Sequence, residues 1–281
     1  MDKQFRIGDF CFRLKCVDEV TPPRNFMLFE IEEDQDYTYT YEIEVTDILP
    51  KPQGRLTAER PDLKVYETKI GEERFIGIKG VEGFYACYRE VDEKRANVWL
   101  VREQIEGLHI DPVFTSLLAL ERHMIQRDQI LLHCAYMEYN GDAILFSAPS
   151  ETGKTTQANL WEKYRGSRTV NGDRALLGKM NGIWTAKGWP VCGTSEICYN
   201  ENIPIGAIVM LSQAKENHVE RIEGREAFVQ IYSQITVNRW NREASMHTMD
   251  LLLDLMKQVP VYHLGCTISE EAVQCLEEAL G

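Results

Sequence analysis

Between Gln129 and Tyr164 the chain writes out two strands, a tight hairpin and a strand-to-helix turn in unbroken order. Gln129–Tyr139 is apolar enough for a strand, and Asn140-Gly141 supplies the two residues that accept positive φ in a two-residue hairpin. Asp142–Ala148 is the return strand, and a helix is expected from Lys154 to about Tyr164. Between them, Ala148-Pro149-Ser150-Glu151-Thr152-Gly153-Lys154-Thr155 agrees with the phosphate-loop pattern G-x-x-x-x-G-K-[ST] at its last three positions, with Ala148 in place of the first glycine. Such a loop turns backbone N–H groups around phosphate oxygens, with the helix N-terminus behind them. Ser150, Glu151, Thr152, Gly153, Lys154, Thr155 and Thr156 are therefore the expected phosphate-binding residues. Lys154 supplies charge to the β and γ phosphates of ATP, and Thr155 offers a hydroxyl to Mg²⁺ or Mn²⁺.

The rest of this half mixes strands and helices. Arg168–Asn171 and Arg174–Lys179 are strand-like, and a second Asn-Gly turn at Asn181-Gly182 leads into Ile183–Lys187. The nearly all-apolar Ile205–Leu211 has the character of a strand covered on both faces. Glu223–Ile235 and Glu243–Gln258 read as helices, Val259–Leu264 as a strand, and Ser269 as the cap of a terminal helix reaching Leu280. Hairpins among the helices exclude a pure βαβ array, so the expected class is mixed α/β, of the α+β kind.

Upstream, residues 1–110 read as β structure. Tyr37–Val45 alternates strictly, and Asn25–Ile31, Arg74–Lys79, Phe84–Val91 and Ala96–Arg102 are further expected strands. Leu49–Pro61, with three prolines, is expected to be a loop. Asp111–Gln129 has a helical pattern with Pro112 in its first turn. A boundary just before that helix gives a β-rich accessory or substrate-presenting domain at 1–110 and a nucleotide-binding domain at 111–281.

Composition narrows the partners. The net charge of −13 repels duplex nucleic acid and no basic stripe offsets it, whereas a small anion needs only a local positive pocket. No apolar run approaches the ~20 residues that span a bilayer, and the N-terminus lacks the apolar stretch of a signal peptide. A soluble cytoplasmic protein with no membrane and no nucleic-acid partner is expected. None of the eight cysteines stands in a Cys-x-x-Cys pair, so they are expected to be reduced and structural.

Two residues outside the loop carry candidate chemistry. Val170-Asn171-Gly172-Asp173 places a carboxylate at the end of a short strand, where a nucleotide site needs an acid for the cation or for a hydroxyl proton. His133 lies in an apolar strand one hairpin away from the loop. It fits either a hydrogen-bonded core position or a ligand. The catalytic candidates are thus Asp173, Lys154 and His133, and the metal candidates Thr155, Asp173 and His133. Glu196 is either a further member of the site or a solvated loop acid.

In this order, Leu132-His133-Cys134, Asn140–Phe146, Gly153-Lys154-Thr155-Thr156 and Gly172-Asp173 resemble the HPr kinase/phosphorylase and ATP-dependent phosphoenolpyruvate carboxykinase superfamily. Small HPr-kinase-like proteins of that superfamily are the nearest in motif, and Cys192-Gly193-Thr194-Ser195-Glu196 is similar to a later segment of theirs. The resemblance runs firmly from about Leu131 to Leu211, extends loosely over the rest of the second half, and leaves residues 1–110 uncovered. It implies a histidine near the metal and an aspartate serving as metal ligand and base. Glu151 stands where the family loop has glycine, and Arg174 where the larger enzymes carry a second aspartate. No motif matches the carboxykinase's substrate-binding arginines, so decarboxylation is not expected.

Two functions follow as expectations. One is an ATP-dependent kinase of HPr-kinase-like type, transferring the γ-phosphoryl group to a hydroxyl on a small protein, a peptide or a small molecule. The other is a catalytically silent ATP-binding interaction or regulatory protein, which Glu151 and Arg174 motivate.

Overall fold

In the computed structural model, which describes residues 1–16, 20–32 and 36–281, the chain separates into two units, Met1–His123 and Met124–Gly281. Among the described residues the first unit is built on a nine-stranded sheet. Its strands are β1 (Asp2–Ile7), β2 (Phe10–Cys16), β3 (Glu30–Ile31), β4 (Tyr39–Thr46), β5 (Arg55–Arg60), β6 (Leu63–Glu67), β7 (Glu72–Ile76), β8 (Ala86–Asp92) and β9 (Arg95–Val101). They lie in the order β3-β1-β2-β4-β9-β8-β7-β6-β5. The alternation along β4 buries Tyr39, Tyr41 and Ile43, and Phe5, Phe10, Phe12 and Phe26 are buried with them.

Three expectations for this unit are corrected. Asn25–Ile31 is not one strand: Pro23 caps a short helix, α1 (Arg24–Met27), which buries Phe26, and only Glu30–Ile31 pairs with β1. The 49–61 segment is not all loop, because Arg55–Arg60 forms β5 at the sheet edge. An edge strand with charged, solvent-facing residues carries no apolar alternation to read. Asp111–Gln129 is not one helix but α2 (Asp111–Ser116) and α3 (Leu120–Ile125), parted at Ala119, whose φ is +46°. At that break the Leu118 carbonyl accepts from the Tyr41 hydroxyl at 2.8 Å. The division of the chain also falls later than residue 110. His123 stacks on Phe10 at 4.5 Å, and Arg122 pairs with Glu90 at 2.6 Å, so this helical segment is built into the first sheet.

The second unit contains β10 (Ile130–Tyr139), β11 (Asp142–Ser147), α4 (Lys154–Arg165), β12 (Arg168–Asn171), β13 (Arg174–Met180), β14 (Ile183–Lys187) and β15 (Ile203–Gln213). After them come β16 (His218–Arg221), α5 (Gly224–Tyr232), α6 (Arg242–Gln258), β17 (Val261–Cys266) and α7 (Glu270–Leu280). The sheet order is β11-β10-β13-β14-β15-β17-β16, with β12 on β10 and a further pairing of β11 with β15. Both Asn-Gly turns take the positive φ that a two-residue hairpin requires. β11, β15 and β17 are parallel neighbours. One face of the sheet packs Ala158 and Trp161 of α4 with Ala272, Val273 and Leu276 of α7, and the other packs Ala227 and Ile231 of α5 with Leu252 and Leu255 of α6.

Here the expected elements appear, with β15 two residues longer at each end, β17 shifted two residues along the chain, and two larger differences. α5 stops at Tyr232, short of Ile235, because Ile235 bridges to Leu132 and the Gln234 carbonyl accepts from His133 N–H at 3.0 Å. β16 was not expected; it is a polar edge strand. The architecture is mixed α/β with two large sheets. All eight cysteines are free, seven of them buried. Among the described residues no helix is long and apolar enough to cross a membrane.

Candidate active site

Strand β11 is buried along Ala143–Ser147, and buried Ala148 and exposed Pro149 follow it. The chain returns to helix through two left-handed positions, Glu151 at φ +66° and Gly153 at φ +114°. Gly153 is the N-cap of α4 and carries no capping side chain, and the first intrahelical bond runs from Gln157 N–H to the Gly153 carbonyl. The N–H groups of Lys154, Thr155 and Thr156 therefore end the helix without helical acceptors, which leaves them for an anion.

Lys154 is buried, and its Nζ donates to the Ala148 carbonyl at 3.0 Å and the Pro149 carbonyl at 3.4 Å. Burial lowers its pKa below the ordinary 10.5, opposed by the negative charge of Asp173. Ser150 and Glu151 are exposed, Thr152, Gly153 and Thr156 half-buried, and Thr155 exposed in the first turn of α4.

His133 reaches the same place from β10. Cys134 pairs in register with Ser147, whose hydroxyl donates to the His133 carbonyl at 2.8 Å. On the other edge of β10, His133 pairs with Arg174. Its Nε2 lies 3.3 Å from Asp173 Oδ1. The remaining carboxylate oxygen of Asp173 accepts from Arg174 Nε at 3.1 Å, and Arg174 Nη1 donates to Thr236 Oγ1 at 3.0 Å. Burial by itself would raise the Asp173 carboxyl, but the His133 hydrogen bond and the charges of Arg174, His133 and Lys154 hold it below the usual carboxylate value.

Asn171 sets the position of that carboxylate. Fully buried, it accepts from the N–H groups of Asp173 and Arg174 at 2.9 Å each and donates to the Trp189 and Val191 carbonyls at 2.9 and 3.1 Å. Gly172 has no room for a side chain, since a Cβ would come within 2.1 Å of Ser195 Oγ. Gly193, at φ +60°, lies against the Asp173 side chain.

Lys154, Asp173 and His133 are thus brought together. Among the described residues no hydrogen bond or ion pair joins Thr155 to His133 or Asp173. Glu196 is exposed in a left-handed turn, and it is Gly193 of that segment that meets Asp173. The roles of Asn171, Gly193 and Thr236 are not legible in the sequence, although Asn171 and Gly193 lie in segments singled out there. The Asn-Gly-Asp turn was the visible signal for the first, while nothing local announces Thr236, which arrives from beyond α5.

Residues 102–281 match the family described as SynChlorMet cassette protein ScmC. The chain belongs to that family. The match takes in the whole second unit of this ScmC-family chain and the end of its first. Among solved structures, the HPr(Ser) kinase/phosphatase from Coxiella burnetii is similar at 8% identity and a TM-score of 0.33, over 53% of this chain and 95% of that one. No curated protein matches the ScmC-family chain.

Proposed function

We propose that this ScmC-family chain is an ATP-dependent phosphotransferase of the HPr-kinase-like kind, moving the γ-phosphoryl group to a hydroxyl of a small protein, a peptide or a small molecule. The observation that carries the reading is the meeting of a buried lysine and a histidine-held aspartate beside one strand-to-helix turn. Phosphoryl transfer asks mainly for positioning and charge neutralisation. Lys154 Nζ exchanges two neutral carbonyls for phosphate oxygens, which are stronger acceptors of a charged donor. The N–H groups of the first turn of α4 add to that hold. Asp173 takes the proton of the acceptor hydroxyl as the new O–P bond forms and the bond to the β,γ-bridging oxygen breaks, leaving ADP. His133 is the positioning residue that keeps Asp173 turned toward the loop.

Asp173 and Thr155 offer oxygen donors of the kind Mg²⁺ or Mn²⁺ takes, while His133 Nε2 is directed at Asp173. Among the described residues no three His, Cys, Asp or Glu side chains converge to hold a metal ion. A divalent ion therefore fits this site as one carried by the nucleotide phosphates, with Asp173 and Thr155 assisting. When bound it neutralises charge on the transferring group.

A specific observation favours the second reading, ATP binding without transfer: both Asp173 oxygens already have protein partners. Incubation with Mg-ATP and candidate acceptors, followed by mass spectrometry, tests the two. Phosphorylated acceptor with the chain, and none with Asp173→Asn, supports transfer. ATP bound with no ADP beyond one equivalent across the acceptor set rejects it for the silent reading.

A further inference from the structure

The three parallel strands β11, β15 and β17 end toward the same side of the sheet. Ser147 is level with Met210, and Met210 with His263, while β15 and β17 run on to Gln213 and Cys266. Past β17 the chain turns through Thr267, Ile268 and Ser269 into α7, on the face that also carries α4. That turn is tied to the first turn of α4: Gln157 Nε2 donates to the Thr267 carbonyl at 3.1 Å and to Cys266 Sγ at 3.2 Å. Asn217, between β15 and β16, braces it. Its Oδ1 accepts from Thr267 N–H at 2.7 Å and Thr267 Oγ1 at 3.2 Å, its Nδ2 donates to Ser269 Oγ at 3.4 Å, and the two hydroxyls lie 3.0 Å apart. Ile268, at the tip, is 78% exposed, the most exposed large apolar side chain of the second unit.

We infer that this turn is the nucleoside subsite: Ile268 covers one face of the base of a nucleoside triphosphate, and the Thr267 and Ser269 hydroxyls meet the sugar. The inference rests on the phosphotransferase reading above. The turn after β11 has two flanks. Across one stand His133, Asp173 and Arg174, where the reacting phosphorus belongs. The nucleoside then leaves over the other flank, above β15 and β17. In α/β proteins the loops at the carboxyl ends of parallel strands are where ligands lie, and β17 stands two strand spacings, about 10 Å, from β11. An exposed apolar side chain beside braced hydroxyls suits a base with its sugar, and the apolar contact itself does nothing for phosphate alone.

Calorimetry of the full chain with Mg-ATP and with magnesium and inorganic tripolyphosphate separates the two ideas. The chain is expected to bind ATP more tightly than tripolyphosphate. Ile268→Ser, at an exposed position, is expected to weaken ATP roughly tenfold, the effect of losing part of one buried aliphatic contact, and to leave tripolyphosphate unchanged. Lys154→Ala is expected to weaken both. Unchanged ATP affinity in Ile268→Ser, an equal loss of both ligands in that variant, or no preference for ATP in the parent chain each overturns the subsite and leaves the phosphate loop standing. A parent chain that binds neither ligand overturns both.

Discussion

His133 lies on β10 and Asp173 in the turn between β12 and β13, the two strands that pair with β10, and His133 Nε2 stands 3.3 Å from Asp173 Oδ1. Arg174 Nε takes the other carboxylate oxygen at 3.1 Å. A carboxylate has about four lone-pair sites on its two oxygens, so two contacts orient it without exhausting it. One lone pair on each oxygen is left for a hydroxyl proton or a cation.

Removing either member of the pair should damage transfer while sparing nucleotide binding. Asp173→Asn is expected to lower turnover about 10²-fold or more, the usual worth of a positioned base. His133→Asn, which keeps polarity but neither titrates nor reaches as far, should lower turnover with ATP affinity within a few-fold of the parent. The Asp173 carboxyl is held below its ordinary 3.8, so it stays ionised above that pH and its contribution to stability is lost only as pH falls below it. A His133→Asn protein that melts early but turns over normally per folded molecule would reduce His133 to a core residue.

Lys154 should couple nucleotide binding to proton uptake. Burial holds its pKa below 10.5 in the free protein, and a phosphate partner raises it again. Between the two values the free lysine is partly neutral and the bound one charged, so binding draws a proton from solution. ATP affinity should then fall with rising pH earlier than for an ordinary lysine. The folding sign is the reverse: a depressed lysine makes stability rise with pH between its folded value and 10.5. Calorimetry in buffers of different ionisation enthalpy reads the uptake directly, and its absence in Lys154→Ala assigns it.

Glu151→Gly should be tolerated or favourable. Glu151 holds φ at +66°, where a side chain costs about 1 kcal/mol or more and glycine none. It is also exposed, so its repulsion of bound phosphates is screened by water. The variant is expected to melt no lower than the parent and to bind ATP equally or up to about threefold more tightly. A clear loss of affinity would mean that Glu151 makes a favourable contact with the bound nucleotide and its cation.

Asn171→Ala should be costly far beyond the loss of one side chain. It strands the Val191 carbonyl and two N–H groups that Asn171 now satisfies, and leaves the Trp189 carbonyl with only the weak Cys198 thiol donor. Each orphaned group costs about 1–3 kcal/mol, less where water enters, so a loss of at least about 2 kcal/mol in denaturant melts is expected. Asp173 would also lose its register. A variant that is both stable and active would show that the turn holds Asp173 without Asn171.

Local patterns carried the second unit well and the first unit less well. Strands such as β14 and β12 begin and end at their expected residues because glycine turns and alternation are short-range signals. The 49–61 segment and Asn25–Ile31 misled for the opposite reason. A polar edge strand pairs through backbone groups whatever its side chains, and a proline-led helical turn looks apolar enough for a strand. Part of the cluster of buried Glu72, Arg74 and Glu90 with half-buried Arg122 in the first unit lay unseen inside expected strands, since charge pairing is decided across strands and not along them.

By itself the sequence determined the strand, hairpin, loop and helix around Lys154, because each depends on residues a few positions apart and on the backbone freedom of Asn-Gly and Gly153. It also singled out His133 and Asp173 as candidates. Their meeting was decided only in three dimensions. β10 pairs with β11 on one edge and with β13 on the other, and this brings His133 beside both the loop and the Asn171–Arg174 turn. Whether a histidine in an apolar strand faces a core or a carboxylate depends on which strand lies next to it. Strand order is a long-range outcome of packing, and no spacing along the chain records it.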